Sequence, residues 1–156
     1  MPHVRIWLHA VWRTKNSYPF LTKEVKPIIL EHILANAKEK GIYTNVINGH
    51  LDHLHGLFGL NAEMNVSKLM QLIKGESAFW INKQKIFKMK FEWADEYFVS
   101  SVSESRVYTV RNYIKNQEQH HTKMSFDQEY KRFFEAHGFE TSSYNRDDFE
   151  NKSPEP

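Results

Sequence analysis

The chain contains no cysteine. Disulfide scaffolds, thiolate zinc sites, iron–sulfur clusters and cysteine nucleophiles are therefore excluded. It also lacks any apolar run approaching the ~20 residues that span a bilayer. Its opening, MPHVRIWLHAVWRTK, sets charged and polar residues inside the apolar stretch, unlike an export signal. The expected location is the cytoplasm. No internal repeat and no low-complexity block interrupts the chain. What is present is an ordinary globular composition of 156 residues, 40% hydrophobic and 26% charged. That is too apolar for a disordered chain. It is long enough for one domain burying roughly 70% of its unfolded surface. A single domain over 1–140 with an acidic tail over 141–156 is expected.

The net charge of +2 is unevenly spread. Residues 1–64 carry seven Lys/Arg and five Asp/Glu, residues 65–126 ten and six, and residues 127–156 four and eight. The basic middle interleaves cations with aromatic rings in FWINKQKIFKMKFEW (79–93). That mixture suits a single-stranded nucleic acid, whose phosphates need cations and whose bases stack. It is equally the pattern of a solvated helix end followed by a strand.

HVRIWLHAVWR (3–13) alternates and is rich in β-branched and aromatic residues, so it reads as a strand. Thr22 can cap a helix to about Lys40, with Ile29, Ile33 and Ala37 as its stripe and Gly41 at its C-terminal cap. IYTNVING (42–49) and HLHGLFGL (53–60) read as a hairpin around Gly49–Asp52. A second helix fits 65–83. Gly75 inside it costs about 1 kcal/mol relative to Ala, which points to a close packing contact or a ligand approach. FEWADEYFVSSVS (91–103) reads as the fourth strand. Helices fit from Ser103 or Glu104 to about Gln119, and over 125–137. The order β-α-β-β-α-β-α-α implies an α+β fold. The expected architecture is a ferredoxin-like antiparallel sheet with helices packed on one face.

Two constellations could carry chemistry. On a strand, His53 and His55 project from one face and Leu54 from the other. Two such imidazoles can chelate a divalent metal. With nine histidines in the chain the spacing also arises by chance, as two half-exposed strand residues. On the helix after Ser103, Val107, Val110 and Ile114 form the apolar stripe, and Tyr113 and Gln117 lie beside it on one face. Tyr113 could simply straddle core and water, and Tyr108 is a competing tyrosine facing another way. Together the constellations fit one reaction. A tyrosine nucleophile can cleave a phosphodiester and carry the DNA covalently. A divalent cation would polarise the phosphate. Two imidazoles plus the Gln117 side-chain oxygen make a mixed site suited to Mn²⁺ or Mg²⁺.

The segments GHLDHLHGLF (49–58), LMQLIKGESAFWIN (69–82), VRNYIKNQEQHH (110–121) and SFDQEYKRFFEAHGFE (125–140) carry a resemblance. The chain resembles the single-tyrosine HUH transposases of small bacterial insertion sequences, the insertion sequence 200/605-like family. That family includes the transposases associated with repetitive extragenic palindromes. The likeness spans about residues 3–140, and the Y-I-K-N-Q-x-x-H-H stretch is its most specific part.

The resemblance implies an enzyme that cuts single-stranded DNA beside imperfect hairpins and rejoins it through a 5′-phosphotyrosine link. It implies no nucleotide cofactor, no membrane and an obligate homodimer. Carried over by position, His53, His55 and Gln117 are metal ligands and Tyr113 is the nucleophile. Lys74, Lys83, Lys85, Arg106, Arg111 and Lys115 are candidates for phosphate contacts, with Arg13 and Lys15 after the first strand. Asp52 and His50 are expected to support the site without ligating, and His120 and His121 to complement the helix dipole. Competing readings are an HUH endonuclease of relaxase or replication-initiator type, a domesticated non-catalytic binder of single-stranded or hairpin DNA, and a metal-dependent hydrolase that does not need Tyr113.

Overall fold

The computed structural model describes residues 2–121 and 124–138. The expected acidic tail, 141–156, lies outside them. Four antiparallel strands form one sheet: β1 (Ile6–Thr14), β2 (Tyr43–His50), β3 (His53–Leu60) and β4 (Trp93–Val102), in the order β2-β3-β1-β4. α1 (Lys26–Glu39) joins β1 to β2, and α2 (Val66–Met70) with α3 (Glu76–Lys83) joins β3 to β4. α4 (Val107–Lys115), α5 (Gln117–His120) and α6 (Phe126–Ala136) follow.

β1 sits between β3 and β4, so both of its faces must be covered. One face presents Leu8, Ala10 and Trp12, which form the main core with Leu54 and Phe58 of β3 and with Ile29, Ile33, Leu69, Ile73 and Ile81 from α1 to α3. Each fully buried Leu, Ile or Phe among them contributes roughly 1.5–3 kcal/mol. The other face presents His9 and Val11. Here Val11, Phe98 and Phe126 form a second cluster with Tyr130, Phe133 and Phe134 of α6. The expected one-sided helix layer is therefore met by α1, α2 and α3 alone. The C-terminal helices cover the opposite face, because β1 and β3 are apolar on one side and carry the histidines on the other.

Local differences have local reasons. α1 begins at Lys26 with Val25 in the cap position, not with a Thr22 side-chain cap; the Thr22 carbonyl accepts from Val25 and Lys26 N–H instead. That start places Pro27 in the first turn, where its missing N–H costs nothing. Gly41 takes φ +74 just past the helix, as a C-terminal cap requires. The expected 65–83 helix is interrupted by a π-type turn, Gln71–Gly75. A Cβ on Gly75 would meet nothing within 4 Å, so the close contact expected there is absent. The helix expected from Ser103 is a 3-10 turn (Glu104–Arg106), then α4, which stops at Asn116 (φ −96, ψ 21) before α5.

Both register shifts of the sheet are clamped by cations. β2 carries an extra residue at Asn45 against β3, and β4 is irregular between Trp93 and Tyr97 against β1. Such bulges leave carbonyls outside the ladder. Arg111 Nη1 donates to the Asn45 carbonyl (2.7 Å) and to its Oδ1 (2.6 Å). Lys74 Nζ donates to the Ala94 and Asp95 carbonyls at 2.7 and 3.1 Å. Two of the expected phosphate contacts are thus committed to the backbone.

Candidate active site

The hairpin builds the first half of the site. β2 and β3 are closed by His50 opposite His53 over a two-residue turn. Gly49 opposes Leu54 so closely that a Cβ would lie 2.0 Å from the His53 carbonyl oxygen. Alternation then turns His53 and His55 to the face away from Leu54, where both are fully buried. Each is aimed by a partner on its Nδ1. His53 Nδ1 lies 2.9 Å from Asp52 Oδ1, and His55 Nδ1 lies 2.9 Å from His9 Nε2. Asp52 therefore has the supporting role expected of it. His9, from the central strand, is a partner that sequence reasoning missed.

The C-terminal helices supply the other half. Gln117 is fully buried at the start of α5, with Oε1 3.2 Å from His53 Nε2. Glu129, 2% exposed on α6, sets Oε1 2.6 Å from His55 Nε2 and 3.8 Å from His53 Nε2. His121 Nε2 donates to Gln117 Oε1 (3.1 Å) and Glu129 Oε2 (2.9 Å). His121, which caps the C-terminal end of α5 as expected, thus also joins the site, and its ring is 4.5 Å from that of His53. His50 stacks on His121 at 5.3 Å. Glu129 was absent from the sequence reading. Its signal is a lone acid inside an apolar stripe, between Phe126 and Phe133 at helical spacing.

Electrostatics follow from burial around this one carboxylate. Burial opposes ionisation of Glu129, yet hydrogen bonds from His121 and His55 hold its carboxyl well below the usual range. Burial also disfavours the charged form of His121, but its hydrogen bond to Glu129 and that residue's charge lift its pKa above the ordinary value. Burial brings His55 to about 4 and His9 to about 3, so both imidazoles are neutral at pH 7. Tyr113 sits on α4 with its ring 5.8 Å from that of His55. Burial, then the charge of Glu129, push its phenol above the ordinary pKa, and its hydroxyl hydrogen-bonds to Glu129. The competing tyrosine, Tyr108, is 75% exposed.

The donor set fits a divalent cation. The ligand-capable atoms of His53, His55 and Glu129 lie within 4.8 Å of one another. With Nδ1–H of His53 given to Asp52, its Nε2 lone pair faces the oxygens of Gln117 and Glu129. Acceptors turned on one another in a dry site are what a cation satisfies, and the partners on Nδ1 are those that orient metal-bound imidazoles.

The expected phosphate contacts divide. Arg13 pairs with Glu96 (2.5 Å) and Asp127 (3.5 Å), and Lys15 with Glu92 (3.1 Å). Lys83 lies over the Phe79 ring. Lys85, Arg106 and Lys115 are exposed.

With this geometry in place, the class of protein follows. The chain belongs to a transposase family: the family model described as "Transposase IS200 like" matches residues 3–117. Among solved structures it is similar to a protein assigned as a transposase of Deinococcus radiodurans R1. The TM-score is 0.61 and the identity 23%, over 74% of this chain and 93% of that one. It is also similar to a REP-associated tyrosine transposase bound to a REP hairpin, with TM-score 0.56 and 14% identity over 78% of this chain and 72% of that one. At these identities the likeness is one of fold. No curated protein matches. Among the described residues, no helix is long and apolar enough to cross a membrane.

Proposed function

We propose that this protein cleaves and rejoins single-stranded DNA at hairpin-flanked ends, through a 5′-phosphotyrosine link to Tyr113. The observation that carries the reading is one buried carboxylate, Glu129, in contact with the His55 imidazole and with the Tyr113 hydroxyl. His53, His55 and Glu129, with the Gln117 oxygen beside them, would hold Mg²⁺ or Mn²⁺. Bound there, the ion would polarise the scissile phosphate and stabilise charge developing on its oxygens.

The chain's own residues do the rest. Tyr113 is protonated at neutral pH, so its proton must leave as its oxygen attacks phosphorus. Glu129 is the acceptor already in hydrogen-bond contact. The O–P bond to Tyr113 forms, the P–O3′ bond breaks, the 3′ oxygen takes a proton from water, and Glu129 returns the phenol's proton to solvent. Attack by a 3′-hydroxyl reverses these changes and regenerates the phenol. The phosphotyrosine bond conserves the energy of the cut bond, so no nucleotide cofactor is required. The working unit in this reading is a homodimer acting on DNA in the cytoplasm, and the REP hairpin held by a fold relative supports DNA as the partner.

The test is a denaturing gel. Wild type and Tyr113→Phe are incubated with Mn²⁺ and single-stranded oligonucleotides from the ends of the element that encodes the chain. A DNA-shifted protein band that needs Tyr113 and vanishes with chelator is expected. Cleavage indifferent to Tyr113 would refute the tyrosine mechanism in favour of a metal hydrolase.

A further inference from the structure

A cleft of about 530 Å³ opens beside Tyr113, within the range of small-ligand sites, about 300–1,000 Å³. Its floor is His9 and Ser100, which are register partners across β1 and β4. One wall is formed by Arg106, the last residue of the 3-10 turn, and by Thr109, one turn before Tyr113 on α4, and the other by Phe133 and His137. The Phe133 ring stands 5.9 Å from that of Tyr113 and 5.4 Å from that of His9.

Charge separates this flank of the site from the other. Among the described residues lining the cleft none is acidic, and Arg106 is an exposed cation. The depression on the far flank is lined by Arg13, Lys15, Glu92, Asp95, Glu96 and Asp127. There both cations are already paired with carboxylates, at 2.5 to 3.5 Å. A polyanion entering that side would have to displace those pairs against four carboxylates. The Tyr113 side offers a cation, hydroxyls that both donate and accept, and two aromatic rings.

We propose that this cleft seats the nucleotide on the 3′ side of the scissile phosphate, the one retained on Tyr113 after cleavage. The assignment rests on the phosphotyrosine reading above. In an in-line displacement the departing 3′ oxygen lies opposite the tyrosine oxygen, so the released strand points away from Tyr113. The retained nucleotide hangs from the phosphate on the tyrosine and reaches the cleft next to it. Its base stacks against Phe133 and His137, its edge meets Ser100 and Thr109, and Arg106 takes the following phosphate.

The test measures binding without chemistry. In EDTA, fluorescence anisotropy follows a short 5′-phosphorylated oligothymidylate labelled at its 3′ end. Thr109→Trp fills the mouth of the cleft and Arg106→Ala removes its cation. Each is expected to weaken binding about tenfold or more, the scale of one lost stacking or phosphate contact. Lys38→Ala, an equal charge loss at an exposed position of α1, leaves binding unchanged. Calorimetric Mn²⁺ binding by Thr109→Trp equal to wild type shows that the neighbouring site is still folded. Binding of both cleft variants within about twofold of wild type, or a wild type that ignores the probe, overturns the proposal. The two readings fail separately. A Tyr113-dependent adduct with unaffected cleft variants removes only the cleft. Weakened cleft variants without an adduct remove only the chemistry.

Discussion

Lys26→Met tests how the fold holds Gln117 at the site. Lys26 opens α1 yet is 7% exposed, with Nζ donating to the Gly49 carbonyl at 3.0 Å and to Glu118 Oε1 at 2.7 Å. His50 and His53 close the hairpin, so the next pair, Gly49 and Leu54, lies at a position that exchanges no ladder bonds. The Gly49 carbonyl therefore points outward to Lys26. A lost hydrogen bond from a charged donor costs about 1.5–3 kcal/mol. The Glu118 side chain is 58% exposed, so that pair adds only about 0.2–1 kcal/mol. Met keeps the aliphatic stem and avoids burying an ammonium group, which returns part of the loss. A net destabilisation of about 2 kcal/mol is expected, which for a chain of this size lowers Tm by roughly 4–8 °C. Glu118→Gln should stay within about 0.5 kcal/mol. Because Glu118 neighbours Gln117 on α5, Mn²⁺ binding should weaken in Lys26→Met as well. Thermal unfolding and calorimetry on both variants decide the matter. A Tm for Lys26→Met equal to wild type would refute the argument that Lys26 latches the hairpin to α5.

Three further predictions concern the site and its frame. Asp52→Asn removes the carboxylate that orients His53, and Mn²⁺ affinity should fall about 10–100-fold; calorimetry showing wild-type affinity would deny Asp52 that part. Glu129→Gln replaces the anionic oxygen by a neutral one, so Mn²⁺ should bind at least about tenfold more weakly while the helical circular dichroism persists. An unchanged Kd there would exclude Glu129 as a ligand. Gly49→Ala places a methyl group against the β3 backbone, and urea unfolding should show a loss of about 1–3 kcal/mol; a stable Ala variant would mean that the hairpin can open without cost.

Much of this layout is legible from residues near one another in sequence. Strand alternation puts His53 and His55 on one face without any tertiary information. The Ile29, Ile33 and Ala37 stripe and a hairpin around Gly49–Asp52 come from the same short-range periodicities, whereas the two-residue turn at Leu51–Asp52 is seen only in the paired strands. The break at Asn116 was not legible, because nothing in a continuous helical pattern reveals that the Lys115 carbonyl is engaged by Asn48 Nδ2 from a distant strand. Nor was the fate of the cations. Lys74 and Arg111 look like phosphate contacts until the sheet's irregular registers show carbonyls awaiting them.

The amino-acid sequence by itself determined the transposase family, the α+β class, and the strand histidines and helix tyrosine that carry the proposed chemistry. Those depend on residue types at fixed short spacings, which local backbone geometry translates directly into shared faces. Only the tertiary structure decided the rest. It turned the C-terminal helices onto the histidine face, brought Glu129 and His121 against His53 and His55, and set His9 behind His55. Those meetings join residues up to 76 positions apart, Glu129 with His53, and a pairing over that distance is fixed by which apolar faces must be buried together.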